Sequence, residues 1–357
     1  MRIVQLIDSL ETGGAERMAV NYANALADRI TFSGLVATRN EGVLKEQLSS
    51  KVGYLFLNKK RTVDLSAILK LRKYIAHNKV THVHAHSSSF FIAVLVRLLS
   101  PGIKIVWHDH NGNRLYLPLS GNRKIVWFSC FFNGVIACNT ELERWALSYL
   151  KCKNILYLPN FSEVPEQEIQ TTFLKGTAGK RIVCLANLRT PKNHITLLKA
   201  FAASNALQSG WTLHLIGKDN EDDYSLRLKY FVKENKVEDK VFFYGSCPDV
   251  FSVLKQSDIG VLVSTYEGFP VTLLEYGLTP LAVLSTNVGY CPEIIEDNEN
   301  GFLIAPEEVG SIQARLNTLT EIEALRDKFA HNLNTIVSKK FSVNAVVGEA
   351  IDFYKKM

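Results

Sequence analysis

Two glutamates, Glu267 and Glu275, stand eight positions apart around a Gly268-Phe269-Pro270 turn. Ahead of them, Ile259 to Ser264 is an apolar run that suits a buried parallel strand. Pro270 suits the first turn of a helix, where no backbone donor is lost. A strand–loop–helix junction of this kind points free N–H groups and the positive end of a helix dipole at one spot, a setting that binds phosphate. An ionised carboxylate only accepts hydrogen bonds and hydroxyls can donate them, so two carboxylates beside an anion site can hold sugar or ribose hydroxyls. Spacing alone does not decide this, because ordinary surface glutamates also fall at this separation.

Three further constellations carry chemistry. Gly13 and Gly14 follow the first strand-like run and open a helical stretch, where bare backbone can approach a phosphate or an acceptor; they do not match the G-x-G-x-x-G dinucleotide fingerprint. After Ile182 to Ala186 comes Asn187-Leu188-Arg189-Thr190-Pro191-Lys192, in which Arg189 as a bidentate fork and Lys192 as a point charge could grip a diphosphate. Two histidine pairs, His84/His86 and His108/His110, end neighbouring strand-like runs, and with Asp109 they admit a reading as metal ligands. The acidic run Asp219 to Asp223 follows Gly217 in a polar setting and reads as a surface loop.

The elements that must position these groups alternate along the chain. Strand-like runs fall at Ile3–Ile7, Gly34–Thr38, Tyr54–Leu57, Thr81–Ala85, Lys104–Trp107 and Gly134–Cys138. A second series falls at Arg181–Ala186, Thr212–Ile216, Val241–Tyr244, Ile259–Val263, Leu281–Ser285 and Phe302–Ile304. They are continuous apolar runs, so they suit parallel sheets covered on both faces. The expected fold is α/β, with two Rossmann-like parallel-sheet domains over residues 1–160 and 178–340. Pro159 to Lys180, polar and broken by prolines and glycines, is the expected linker, and Val343 to Tyr354 reads as an amphipathic helix.

The 357 residues, 47% hydrophobic and 21% charged, are enough for two cores. Phe90 to Leu99 is too short to span a bilayer and carries Arg97, while the first residues reach Asp8 too soon for a signal-peptide core. Six scattered cysteines without a C-x-x-C pair read as free thiols in a reducing cytoplasm. Residues 1–150 hold 19 Lys and Arg against 10 Asp and Glu, a net +9, whereas the remainder is −3. The basic first half, with Lys59-Lys60-Arg61 and Lys70-x-Arg72-Lys73, could be attracted to nucleic acid or, as a peripheral protein, to an anionic membrane leaflet; a solvated helix face is the equally weighted reading.

The segment Thr265–Gly277 resembles the E-x7-E signature of retaining GT-B glycosyltransferases of family 4. Gly13-Gly14-Ala15-Glu16 resembles that family's opening, and Lys192 matches its lysine. The chain departs at Ala186 and Asn187, where the family has Gly and Arg, and at Pro280. The resemblance implies a metal-independent retaining transfer, with no cofactor, from a nucleotide-diphosphate sugar to a glycan or lipid-linked acceptor in surface polysaccharide biosynthesis, in a cleft closing over the donor. It implies Glu267 near the sugar, Glu275 on the ribose, and Gly14, Arg189, Lys192, Gly268, Phe269 and Thr272 around the donor. His110 or His108 would face the donor sugar; Gly13, His84 and His86 would line the acceptor side. It also implies that the last helix, 343–357, crosses back onto the first domain. No nucleic-acid partner is expected. The competing readings are a GT-B scaffold that binds glycans or lipids without turnover, and a histidine-metal hydrolase.

Overall fold

The computed structural model describes residues 1–112, 114, 117–165 and 170–357, with the Leu119 side chain left aside. The chain forms two compact units, Met1–Phe161 with Val343–Met357, and Ser162–Ser342.

The first unit carries strands β1 (Arg2–Ser9), β2 (Phe32–Asn40), β3 (Gly53–Phe56), β4 (His82–His86), β5 (Lys104–Asp109), β6 (Gly134–Ala137) and β7 (Ile155–Tyr157). They pair in parallel in the order β3-β2-β1-β4-β5-β6-β7. The second unit repeats the winding with β8 (Arg181–Leu185), β9 (Thr212–Ile216), β10 (Val241–Gly245), β11 (Ile259–Leu262), β12 (Ala282–Thr286) and β13 (Phe302–Ile304), in the order β10-β9-β8-β11-β12-β13. Each sheet therefore reverses direction once, between β1 and β4 and between β8 and β11. In such sheets ligands bind at that reversal, outside the carboxyl ends of the strands. Strand β7 was not among the sequence expectations. It has three residues, all half-buried at the sheet edge, too few to make an apolar run.

Helices on both faces bury the strands completely: β4, β6, β9, β11 and β12 have no exposed residue. Each fully buried Leu, Ile or Val contributes roughly 1.5–3 kcal/mol. Side-chain caps start several of these helices. Asp64 accepts the Ala67 N–H ahead of helix Leu65–His77, and Asn139 accepts that of Leu142 ahead of Thr140–Tyr149. The acidic run at 219–223 serves the same end. Asp222 accepts the N–H groups of Tyr224 and Ser225 to start helix Asp223–Glu234, and Asp219 pairs with Lys229 at 2.6 Å.

The second unit begins at Ser162, ahead of the expected residue 178, because the described part of the linker is bonded into it. Asp249 accepts the N–H groups of Thr171 and Thr172 at 2.7 Å each. The Arg181 guanidinium donates to the carbonyls of Leu174, Lys175 and Gly176. Helix Val343–Lys355 packs in the first unit through Val343, Val346, Val347, Ala350 and Tyr354. Gly134 on β6 admits it: a Cβ there would stand 2.7 Å from Met357 and 2.8 Å from Phe353. No helix among the described residues is long and apolar enough to cross a membrane. All six cysteines are free and only Cys130 is exposed.

Candidate functional site

The direction reversal of the second sheet puts the loop after β8 beside the loop after β11. Lys192, at the end of the first loop, meets Glu267, in the second, at 2.5 Å between Nζ and Oε1. Ser264, just beyond β11, donates to the same carboxylate oxygen at 2.6 Å. Both partners are mostly shielded, with 16% and 10% of their side chains exposed, so their attraction is less screened than that of a surface pair. The Thr265 N–H donates to the Pro191 carbonyl at 2.8 Å and fixes the two loops to each other. Helix Val271–Leu278 then starts from Pro270, so its N-terminal N–H groups point to this place.

Two residues to which the sequence assigned no role hold this geometry. Tyr276, fully buried, accepts the Leu185 N–H at 2.8 Å and lies 3.2 Å from the Val261 carbonyl, bolting the ends of β8 and β11 together. Its ring explains a glycine inside a strand, since a Cβ on Gly260 would sit 2.6 Å from it. Gly289 has φ +52°, and a Cβ there would lie 1.7 Å from the Glu267 carbonyl oxygen, so only glycine lets the loop after β12 support Glu267. A glycine before Tyr290-Cys291-Pro292 was the available signal, but only the fold shows what it touches.

The other expected donor residues are spread around this centre. Thr272 donates to the Leu185 carbonyl at 3.2 Å. Glu275 is buried on helix Val271–Leu278. Gly268 is half-buried, and the buried Phe269 ring stacks on Tyr290 at 4.6 Å between centroids. Arg189 is exposed at the start of the turn Thr190–Lys192. Asn187 accepts the Lys218 N–H at 2.9 Å and so fastens its loop to the one after β9. Those two loops meet closely: Gly217, φ +152°, would bring a Cβ within 2.2 Å of the Ala186 carbonyl.

In the first unit the same reversal lies between β1 and β4. Gly13 caps helix Gly14–Ala27 in extended conformation, φ −176°, and Glu16 folds back over it: a Cβ on Gly13 would meet that carboxylate at 2.2 Å. Gly14 is exposed, and a Cβ there would meet nothing within 4 Å.

Strand register places His86 beside His108, and alternation puts His84, His86, His108 and His110 on one face. His84 stacks on His86 at 4.4 Å, and the rings of His108 and His110, tilted to each other, have centroids 3.9 Å apart. Helices Gly14–Ala27 and Val343–Lys355 cover them through Tyr22, whose ring meets His84 and His108 edge-on, and Tyr354, whose hydroxyl lies 2.7 Å from His84 Nδ1. His84 and His86 therefore line no open acceptor surface; both are fully buried, as is His108. Only His110, just beyond β5, is partly exposed. Burial holds His84, His86 and His108 well below the ordinary histidine range and pushes His110 down to about 3, so all four stay neutral.

Ligand atoms of His84, His86 and His108 lie within 4.8 Å of one another, a spacing that admits a metal ion. The ring nitrogens are already engaged, however. His84 bonds Tyr354 and His108, and His86 bonds His110 and Gln5, leaving His108 Nε2 as the one nitrogen of the trio without a hydrogen-bond partner among the described residues. Asp109 does not join them. Alternation turns it to the opposite face, where it pairs with Arg114, whose guanidinium lies over Trp107 and Trp145 at 5.1 and 4.9 Å. Burial raises the Asp109 carboxyl, and Arg114 opposes that shift.

Residues 12–162 match the family model described as Glycosyltransferase Family 4, and residues 166–334 match Glycosyl transferases group 1. Among curated relatives, an Escherichia coli UDP-Gal:alpha-D-GlcNAc-diphosphoundecaprenol alpha-1,3-galactosyltransferase is 23% identical, over 99% of this chain and 96% of its own. The amylovoran biosynthesis glycosyltransferase AmsD of Erwinia amylovora is 22% identical over 92% and 93%. Among solved structures, Anabaena HepE in complex with UDP-glucose superposes with a TM-score of 0.82 at 18% identity, covering all of both chains.

Proposed function

Given that the chain belongs to the GT-B glycosyltransferases, with family 4 as its first-unit relationship, we propose that it is a retaining, metal-independent enzyme. It takes a sugar from a nucleotide-diphosphate donor and passes it to a glycan or lipid-linked acceptor in surface polysaccharide biosynthesis. The observation that carries this reading is the Lys192–Glu267 pair at the direction reversal of the second sheet, in front of a helix N-terminus. Lys192 and the helix dipole meet the negative charge that develops on the departing diphosphate. Arg189, exposed beside Lys192, adds a second cation, and Glu275 takes the ribose hydroxyls. As Lys192 turns to the phosphate, Glu267 is released toward the sugar, with Ser264 still holding one oxygen. Gly268, Phe269 and Thr272 shape the donor side, Gly13 and Gly14 the phosphate and acceptor loop. Of the four clustered histidines, His110 is assigned to the sugar because it alone among them is not fully buried.

The donor bound by HepE and the name of the Escherichia coli relative favour a UDP-sugar and a lipid-diphosphate acceptor. The basic first half favours work at the cytoplasmic face of an anionic membrane. UDP-, GDP-, ADP- and CMP-sugars should be screened by thermal shift and by nucleoside diphosphate release, with and without chelator. The expected result is release from one donor class, insensitive to chelator, with a product that keeps the donor's anomeric configuration. An inverted product, or stoichiometric metal whose removal abolishes release, overturns the chemistry proposed. No release with any donor favours a non-catalytic binding protein.

A further inference from the structure

Strand β1 runs Ile3-Val4-Gln5-Leu6-Ile7 between β2 and β4, and Gln5, the one polar residue in that run, is fully buried. A buried amide is costly unless it is hydrogen-bonded, so its partner is informative. Register sets Gln5 beside His84 on β4, and the amide oxygen reaches one step further along that strand, to His86 Nε2 at 2.9 Å. Register likewise sets His86 beside His108 on β5, and His86 Nδ1 reaches one step further again, to His110 Nε2 at 2.9 Å. The planes of the His86 and His110 rings differ by only 11°, which suits a bond from ring edge to ring edge. Each link advances two residues toward the carboxyl ends of the strands. The chain of bonds therefore climbs from the core to the edge where His110 is partly exposed.

The direction of these bonds follows from the groups that make them. Burial keeps the His86 and His110 rings neutral, so each carries one N–H and one lone pair. The Gln5 amide oxygen can only accept, which puts the His86 proton on Nε2 and its lone pair on Nδ1. That lone pair accepts in turn, which puts the His110 proton on Nε2. His110 Nδ1 is left bare, buried and without a hydrogen-bond partner among the described residues. An amide turned over would reverse every link and leave a buried N–H at that place instead, the rarer kind of orphan. The Gln5 nitrogen makes no hydrogen bond of ordinary geometry among the described residues. Burial raises the Tyr354 hydroxyl, however, and Gln5 opposes that rise, as an amide N–H near a phenol oxygen does. Nitrogen toward Tyr354 leaves oxygen toward His86.

We infer that Gln5 is a positioning residue for the transfer: acting through His86, it fixes the proton of His110 on Nε2 and keeps Nδ1 as an acceptor. An acceptor suits a sugar hydroxyl, which can donate, and refuses a phosphate oxygen, which only accepts. The inference rests on the assignment of His110 to the donor sugar and adds what sets the state of its ring.

The full-length protein should be prepared with isotope-labelled histidine, and long-range proton–nitrogen spectra recorded, in which protonated and bare ring nitrogens separate. His110→Asn identifies the His110 signals by their loss. In the wild type, His110 is expected to carry its proton on Nε2 with Nδ1 bare. Gln5→Met keeps the volume and removes the acceptor. It should move the His110 signals toward a mixture of both tautomers, and lower kcat for nucleoside diphosphate release about 10-fold with donor KM within about 2-fold. Ile68→Ala, a truncation elsewhere in the first core, should lower the melting temperature yet leave the His110 signals and kcat as in the wild type. Three results overturn the inference: a wild-type His110 protonated on Nδ1, a His110 spectrum unchanged by Gln5→Met, or a changed tautomer with wild-type kcat. A kcat loss as large in Ile68→Ala overturns it too, since destabilisation alone would then explain the effect. The wild-type spectrum decides the direction of the chain even where Gln5→Met does not fold. The expected spectra without release from any donor sink only the enzymatic reading, whereas release with the opposite tautomer sinks only this inference.

Discussion

At the residue scale the decisive object is one carboxylate held by two partners. Glu267 cannot turn freely, because Lys192 and Ser264 share one of its oxygens and Gly289 packs under its carbonyl. Removing its charge while keeping its shape tests the chemistry directly: Glu267→Gln should lower turnover at least ~10²-fold, the size expected for a placed catalytic group. Donor binding, read by thermal shift, should persist in that variant; unchanged turnover would count against the role given to Glu267. Gly289→Ala should lower kcat about 10-fold with little change in donor affinity, since the added methyl displaces the Glu267 backbone, and misplacement by a fraction of an ångström is costly. Wild-type kcat in that variant would show that the loop yields without moving Glu267. Both glutamates and Lys192 stood out in the sequence through the resemblance to family 4, since spacing alone does not decide them. Ser264 and Gly289 did not, because their partners come from neighbouring loops whose approach only the folded sheet sets.

At the scale of elements, pairing of β4 with β5 gathers four histidines that the sequence shows as two separate pairs. Their depressed pKa values make a statement about stability. The unfolded chain takes up protons below about 6.5, while the folded protein refuses them, so stability is complete above that pH and falls on acidification, for His110 until the folded ring titrates at about 3. The loss is about 1.4 kcal/mol per pH unit for each histidine held neutral. Calorimetry at pH 5.5 in buffers of different ionisation enthalpy should find uptake of more than one proton on unfolding, and a melting temperature well below that at pH 7.5. Unfolding without proton uptake would show that these rings are charged in the native state. Strand alternation was also what moved Asp109 away from them; a reading of neighbours in sequence had placed it among the metal ligands.

At the scale of the whole molecule, the chain leaves the first unit at Phe161 and returns to it at Val343. The returning helix closes the histidine cluster with Tyr354, which is fully buried. Tyr354→Ala should cost the first unit about 3–5 kcal/mol, since a large cavity opens, and lower its melting temperature by roughly 10 °C. Hydrogen exchange in β8 to β12 should stay unchanged; equal loss of protection in both units would mean that the helix stabilises more than the first. Pattern along the chain was enough for the fold class, because continuous apolar runs separated by helical stretches permit little besides parallel sheets, and it marked the charged residues of the loops after β8 and β11. Only the folded chain shows which of the clustered histidines reaches the surface and which glycine supports the central glutamate. Those outcomes depend on burial and on approach between segments far apart in the chain, and local sequence carries no record of either.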